Sequence, residues 1–352
     1  MYKLKKIFQS TFAKILSALI FIAFIGSVFF YFDFYKRRFD VVKGYYWVYQ
    51  GDKAFKKYDL QSAINYYEEG IKLHPRHYRA MYNLANIYVA YEDYYQALKN
   101  YEKALAIKPT YEVARIDYAI ILSQTYETDR AIEEYNKVIK TQPKFIKIPF
   151  LVDNKKSYNH NKGVAYYNMG LAYRTKSLLA GLNSQTRKNY LNKASESYKK
   201  ASEILNSYNV NYNLGLIHQL LKNSNQAGYY YCKAMEISPL EYEAHFNLAV
   251  ILADMKEYDG SASEFMKAGL LLDSTGDNTK TNYIYNVLSE VNQKISLNST
   301  SEYFQKIKEK QEEESSRQKY KAGKLLLDES SDEELRENFS ICANRKLFMG
   351  DM

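Results

Sequence analysis

Hydrophobic and polar positions obey two different rules along this chain. From Ile15 to Phe32 there are 18 consecutive uncharged residues, ILSALIFIAFIGSVFFYF, and every face of a helix built from them is apolar. From Gly44 onward the apolar positions become periodic. Pro75, Pro109 and Pro143 stand 34 residues apart, and Pro239 closes a similar unit later. Counting back from each proline gives units that begin at Gly44, Tyr78, Glu112, Gly163, Tyr208 and Tyr242. Ala63, Ala97, Ala131, Ala194 and Ala227 share one position, with Ser261 in the sixth unit. Four residues on stand Tyr67, Tyr101, Tyr135, Tyr198, Tyr231 and Phe265. Gly51, Ala85, Ala119, Gly170, Gly215 and Ala249 occupy a common small position in the first half of each unit.

This spacing predicts pairs of antiparallel helices. Small residues sit where two helix backbones approach, and the aromatic one turn beyond the alanine fills the space beside it. The closing proline cannot extend a hydrogen-bond ladder, so it stops the second helix. Each hairpin hides its apolar face only by stacking on the next, which makes an all-α solenoid.

The pattern resembles the tetratricopeptide repeat (TPR) family over residues 44–275. It rests on Trp47 and Gly51, on Tyr82-Asn83-Leu84-Ala85 through Tyr88, and on Tyr166-Tyr167-Asn168-Met169-Gly170 through Tyr173. Tyr212-Asn213-Leu214-Gly215 and Phe246-Asn247-Leu248-Ala249 repeat it. The third unit departs, with Arg115, Tyr118 and Leu122 at weaker positions, and the last unit ends with Asp273 in place of proline. The expected organisation is a basic tail (1–14), a transmembrane anchor (15–32), a juxtamembrane linker (33–43), repeats one to three (44–145), a linker (146–162) and repeats four to six (163–275). A capping helix (276–299), carrying Ile284, Val287, Leu288, Val291 and Ile295 at helical spacing, and a charged helix with a weakly ordered tail (300–352) complete it. The extra residues near Ser177 to Lys188 are expected to elongate the fourth hairpin.

As a helix, the uncharged segment reaches about 27 Å, close to a bilayer core. Lys3, Lys5, Lys6 and Lys14 precede it and Lys36, Arg37 and Arg38 follow, with Tyr31, Phe32 and Tyr35 where an interfacial aromatic belt belongs. A cleavable signal needs small residues at minus three and minus one, whereas Gly26 and Ser27 are paired with Phe24 and Ile25, which favours an uncleaved anchor. A short lysine-bearing tail stays inside while the long carboxyl part is translocated, so the expected placement is a single pass through a bacterial inner membrane with a periplasmic body.

Charge and composition remove other classes. The net charge of +9 at pH 7 invites nucleic acid, but the basic residues flank the apolar segment rather than line a domain face. Cys232 and Cys342 are 110 residues apart with no CxxC or Cys/His cluster, which argues against a disulfide framework and a structural zinc. No GxxxxGK[ST], GxGxxG, GxSxG or HExxH string occurs, so no catalytic residue, cofactor, metal or small-molecule substrate is expected. His74 and His77 straddle Pro75 without a third ligand and read as a solvated turn; His218 and His245 fall at packing positions and read as satisfied interior histidines.

One constellation remains. Asn83, Asn168, Asn213 and Asn247, with Asp117, share a position on successive first helices, preceded by Tyr82, Tyr167, Tyr212 and Phe246. In the TPR family first helices line the concave surface and asparagines at this position contact the main chain of an extended peptide; the resemblance implies the same here. The clamp on a chaperone's terminal carboxylate needs Lys and Arg, and the relevant places hold Val48, Asp52, Val113 and Asp117, so that mode is rejected. The resulting reading is a non-enzymatic, membrane-anchored scaffold that holds a protein partner in its groove and assembles or braces an envelope complex, such as a periplasmic flagellar-motor collar or a secretion assembly. The rivals are a membrane-tethered holdase and an enzyme with a site in 146–190.

Overall fold

The computed structural model describes residues 2–141, 147–148, 152–179, 184–273, 278–292, 294 and 342. The described residues are helical apart from turns and one short pairing of β1 (Lys147–Ile148) with β2 (Val152–Asp153). They group into two units, residues 1–125 and 126–352.

The first unit contains α1 (Tyr2–Lys56), α2 (Leu60–Leu73), α3 (Tyr78–Ala90), α4 (Tyr94–Ile107) and α5 (Glu112–Gln124). Its core joins Val48, Ala63, Tyr67, Ala80, Leu84 and Ile87 across successive helices. The aromatic position works against the small one. Tyr67 is fully buried, and a Cβ on Gly51 would lie 2.7 Å from its ring. Only glycine lets α1 and α2 close over that ring.

The second unit contains α6 (Thr128–Lys140), α7 (Asn154–Leu178), α8 (Ser184–Ser202), α9 (Tyr208–Leu220), α10 (Ser224–Ile237), α11 (Tyr242–Asp254), α12 (Tyr258–Asp273) and α13 (Asn278–Asn292). Tyr198 packs over Gly170 and Tyr231 over Gly215 in the same way. α13 covers the end of this unit, with Ile284, Leu288 and Val291 buried against Phe265, Ala268 and Leu272.

The turns inside the hairpins share one device. Tyr58, Glu92, Tyr126, Lys222 and Lys256 all take positive φ, near 60°. The following amide then reaches back to the last helical turn, as from Asp59 N to Ala54 O at 3.0 Å and from Asn223 N to His218 O at 2.9 Å. Asp59, Asp93 and Asn223 also cap the next helix through their side chains.

Three expectations change. Residues 33–43, read as a linker, continue the helix, so α1 runs unbroken from the apolar segment into the first repeat; Lys36 to Lys43 contain neither Pro nor Gly to stop it. The linker at 146–162 is helical from Asn154, and Tyr158 donates to the Thr141 carbonyl. Cys232 and Cys342 are joined in a disulfide, with Cα atoms 5.4 Å apart. Both are buried among Tyr231, Met235, Ala244, Leu248 and Ile251, so the distance along the chain is closed by tertiary folding, which spacing does not report. The rest of the 300–352 segment lies outside the described residues, as do 180–183 within the elongated fourth hairpin.

Candidate functional site

In the first unit, first helices of successive repeats bring aromatic, amide and cationic groups to one recess of about 440 Å³. α1 supplies Tyr45, Tyr49 and Asp52; α3 supplies Tyr78, Arg79 and Asn83; Tyr111 precedes α5. The turn between α2 and α3 adds His74, Arg76 and His77. Tyr67 Oη donates to Asp52 Oδ1 at 2.7 Å, and Asn83 Nδ2 donates to the same carboxylate oxygen at 3.1 Å and to Tyr67 Oη at 3.3 Å. Tyr82 Oη donates to Asp117 Oδ2 at 2.8 Å. Burial, and then the neighbouring carboxylate, raises the Tyr67 phenol well above its ordinary value, so it stays a donor. Burial also raises the Asp117 carboxyl, partly offset by the Tyr82 bond.

His74 and His77 are half-buried rather than solvated. Tyr45 packs on both rings, at 5.2 and 5.0 Å, and His77 Nδ1 accepts from the Ala80 amide as the cap of α3. Burial lowers both ring pKa values, with Arg76 adding to the effect at His74 and His74 at His77. The recess therefore owes its positive charge at neutral pH to Arg76 and Arg79, both exposed. Among the described residues no group of three or more His, Cys, Asp or Glu could hold a metal ion.

The second unit treats the same positions differently. Asn213 is buried, donating to Tyr167 Oη at 3.3 Å and to the Asn209 carbonyl at 2.8 Å while accepting from Arg174 at 2.7 Å. Asn247 donates to Tyr212 Oη at 3.0 Å, and Asn168 donates to the Val164 carbonyl at 3.0 Å. Phe246 packs edge-on against Phe265. Within each unit the aromatic of one first helix thus meets the polar residue of the next, in Tyr82–Asp117, Tyr167–Asn213 and Tyr212–Asn247. The residue spacing placed these side chains on one face, but it did not reveal that they bind one another. Arg79 and Tyr45, which border the recess, were missed because their position varies between units and left no repeating signal, and Tyr49 because it stands as the aromatic exception at the position of Asn83, Asn168, Asn213 and Asn247.

The interior histidines separate. His245 Nδ1 lies 2.6 Å from Glu264 Oε2 and its Nε2 lies 2.9 Å from the Pro239 carbonyl. Burial alone would raise the Glu264 carboxyl, but His245 and then Lys267 hold it below the ordinary range. His218 stacks on Tyr230 and meets Ser195 Oγ at 3.3 Å through Nε2, while its Nδ1 is buried with no hydrogen-bond partner among the described residues.

The tetratricopeptide repeat family models match residues 78–111 and 208–239. Over 92 residues the chain is 34% identical to the small glutamine-rich tetratricopeptide repeat-containing protein 2 of Saccharomyces cerevisiae, covering 26% of each chain. Over 94 residues it is 28% identical to the Hsp70-Hsp90 organizing protein 1 of Glycine max, covering 27% of this chain and 16% of that one. The chain thus spans about a quarter or less of the length of these curated relatives. Among solved structures, MamA aligns with a TM-score of 0.44 at 20% identity, covering 56% of this chain and 92% of its own. The type IV pilus biogenesis factor PilW aligns at 0.48 and 14% identity, covering 64% and 91%. Two repeats thus match tetratricopeptide repeat models directly, and other described hairpins are built on the same pairing of a small residue with an aromatic ring, so the chain carries tetratricopeptide repeats, a repeat type that mediates protein–protein interaction.

Proposed function

We propose that the chain is a non-enzymatic scaffold, anchored in a membrane by residues 15–32, that holds an extended segment of a partner protein against its first helices. The recess of the first unit carries this reading. It offers flat aromatic surface from Tyr45, Tyr49 and Tyr111, the Asn83 amide oxygen to accept from a main-chain N–H, and Arg79 for an acidic or carbonyl group. Anchoring is supported by α1, the one helix among the described residues long and apolar enough to cross a bilayer, with none of its apolar window buried. A body outside the cytoplasm is supported by the Cys232–Cys342 disulfide, since such bonds persist in oxidising compartments. The role that follows is to assemble or brace an envelope complex.

A photo-crosslinking residue at Tyr45 or Arg79, in intact membranes, should capture one partner in stoichiometric yield. The same residue at Tyr95, which is 73% exposed on a second helix, should not. Equal capture from both surfaces rejects the groove, and a broad mixture of clients favours a holdase. A reporter active only outside the cytoplasm, fused after Met352, tests the placement of the body.

A further inference from the structure

α1 carries two apolar faces, and only one is used. Gly44, Val48 and Gly51 meet α2. On the opposite side Tyr35, Phe39, Val42 and Tyr46 are exposed, Phe39 by 60% and Val42 by 64%, and Tyr49 ends the stripe at the edge it shares with the recess. Their spacing alternates four and three residues, which sets them in one stripe along the helix, as the seam of a helix that winds around another requires. The stripe continues back through Phe32, Val28, Ile25 and Phe21, where every face of the helix is apolar. Inside a bilayer such exposure needs no explanation. Beyond Phe32 it leaves roughly 600 Å² of aromatic and aliphatic surface in water, at the upper end of what a monomer shows.

We infer that this seam pairs two copies of the chain through their α1 helices, in parallel and in register. The inference rests on the reading of residues 15–32 as membrane-crossing, and that reading selects the occupant. A helix covering the whole seam must cross the bilayer and continue about 25 Å beyond it unbroken. A second copy does so by construction, and the bilayer sets both helices at one height, so that each seam residue meets its own counterpart around a two-fold axis. The flanking cations oppose pairing only weakly: Arg38 and Lys43 are each drawn 4.8 Å over a ring of their own helix, at Phe34 and Phe39.

Cysteine replacements in the full chain, oxidised in native membranes with Cys232 and Cys342 left in place, test this. Phe39→Cys, Val42→Cys and Tyr46→Cys should each give a covalent species of twice the chain mass, at roughly tenfold the yield of Arg37→Cys and Asp40→Cys on the other side, because a disulfide forms only within a narrow Cα separation. Equal yields at all five positions, no dimer, or a cross-linked species of another mass would overturn it. In detergent, Val42→Glu with Tyr46→Glu should halve the particle mass while leaving the far-ultraviolet helix signal unchanged; an unchanged mass also overturns it. Alkaline washing reports separately on anchoring. A chain released by the wash removes the anchor, yet still cross-links at 39, 42 and 46 if the water-side seam pairs.

Discussion

Replacing His218 with Phe should flatten the acid sensitivity of the second unit. The ring is 7% exposed, stacked on Tyr230, and its pKa is pushed down to about 4, by burial first and then by Lys199. The unfolded ring, with its ordinary value of 6.5, takes a proton before the folded one does. Stability is therefore full above pH 6.5, falls as pH drops toward 4 and levels off below it. Between pH 8 and pH 5 the linkage relation gives about 2 kcal/mol for this ring, reduced to about 1–2 kcal/mol by residual solvent access. Phe keeps the stack on Tyr230 and removes the unpartnered Nδ1 but strands the buried Ser195 Oγ, so stability at pH 8 should fall by about 1 kcal/mol while the pH dependence is lost. Urea unfolding followed by circular dichroism, for both chains at both pH values, isolates the ring because other titrating groups cancel in the double difference. A double difference below about 0.5 kcal/mol would refute the claim that burial keeps the ring neutral.

Gly215→Ala places a Cβ 2.5 Å from the Tyr231 ring, which is fully buried with its hydroxyl held by Gln219 at 2.6 Å. Overpacking of about 1–3 kcal/mol outweighs the roughly 1 kcal/mol gained in helix propensity, so thermal unfolding should show net destabilisation. Lys222→Gly relieves a left-handed backbone at φ 62° and should raise stability by about 0.5–1 kcal/mol in the same assay. Reducing the Cys232–Cys342 bond, which closes a separation of 110 residues, should lower the stability of the second unit by about 2–4 kcal/mol, read as a urea midpoint shift with and without reductant. Asn213→Ala should destabilise by about 1–3 kcal/mol, since it strands Arg174 and Tyr167, whereas Asn83→Ala in the open recess should cost less.

The hairpins were legible because their rule is local. A small residue must face an aromatic sixteen positions on, and Gly51 against Tyr67 or Gly215 against Tyr231 obeys it in the folded chain. What spacing missed is set between repeats or at a distance. Asn213 looks like a groove residue by position, but the preceding repeat supplies Tyr167 and Arg174 and draws it inward. The cysteine pair depends on how a distant segment returns to α10. That the helix runs on through the juxtamembrane stretch 33–43 was not read from the sequence, although Lys and Arg are good helix formers.

The unbroken α1 also changes what anchoring means. A flexible leash would let the recess wander through a hemisphere, and any segment drifting past could be caught. Under the proposed anchoring, a stiff mast would hold it at one altitude, about 18 Å from Phe32 to Gly44 along the axis, and would turn it whenever the membrane end turned. On that proposal a partner would have to present its segment at that altitude and bearing, so the choice of partner would be made by geometry as well as by contact.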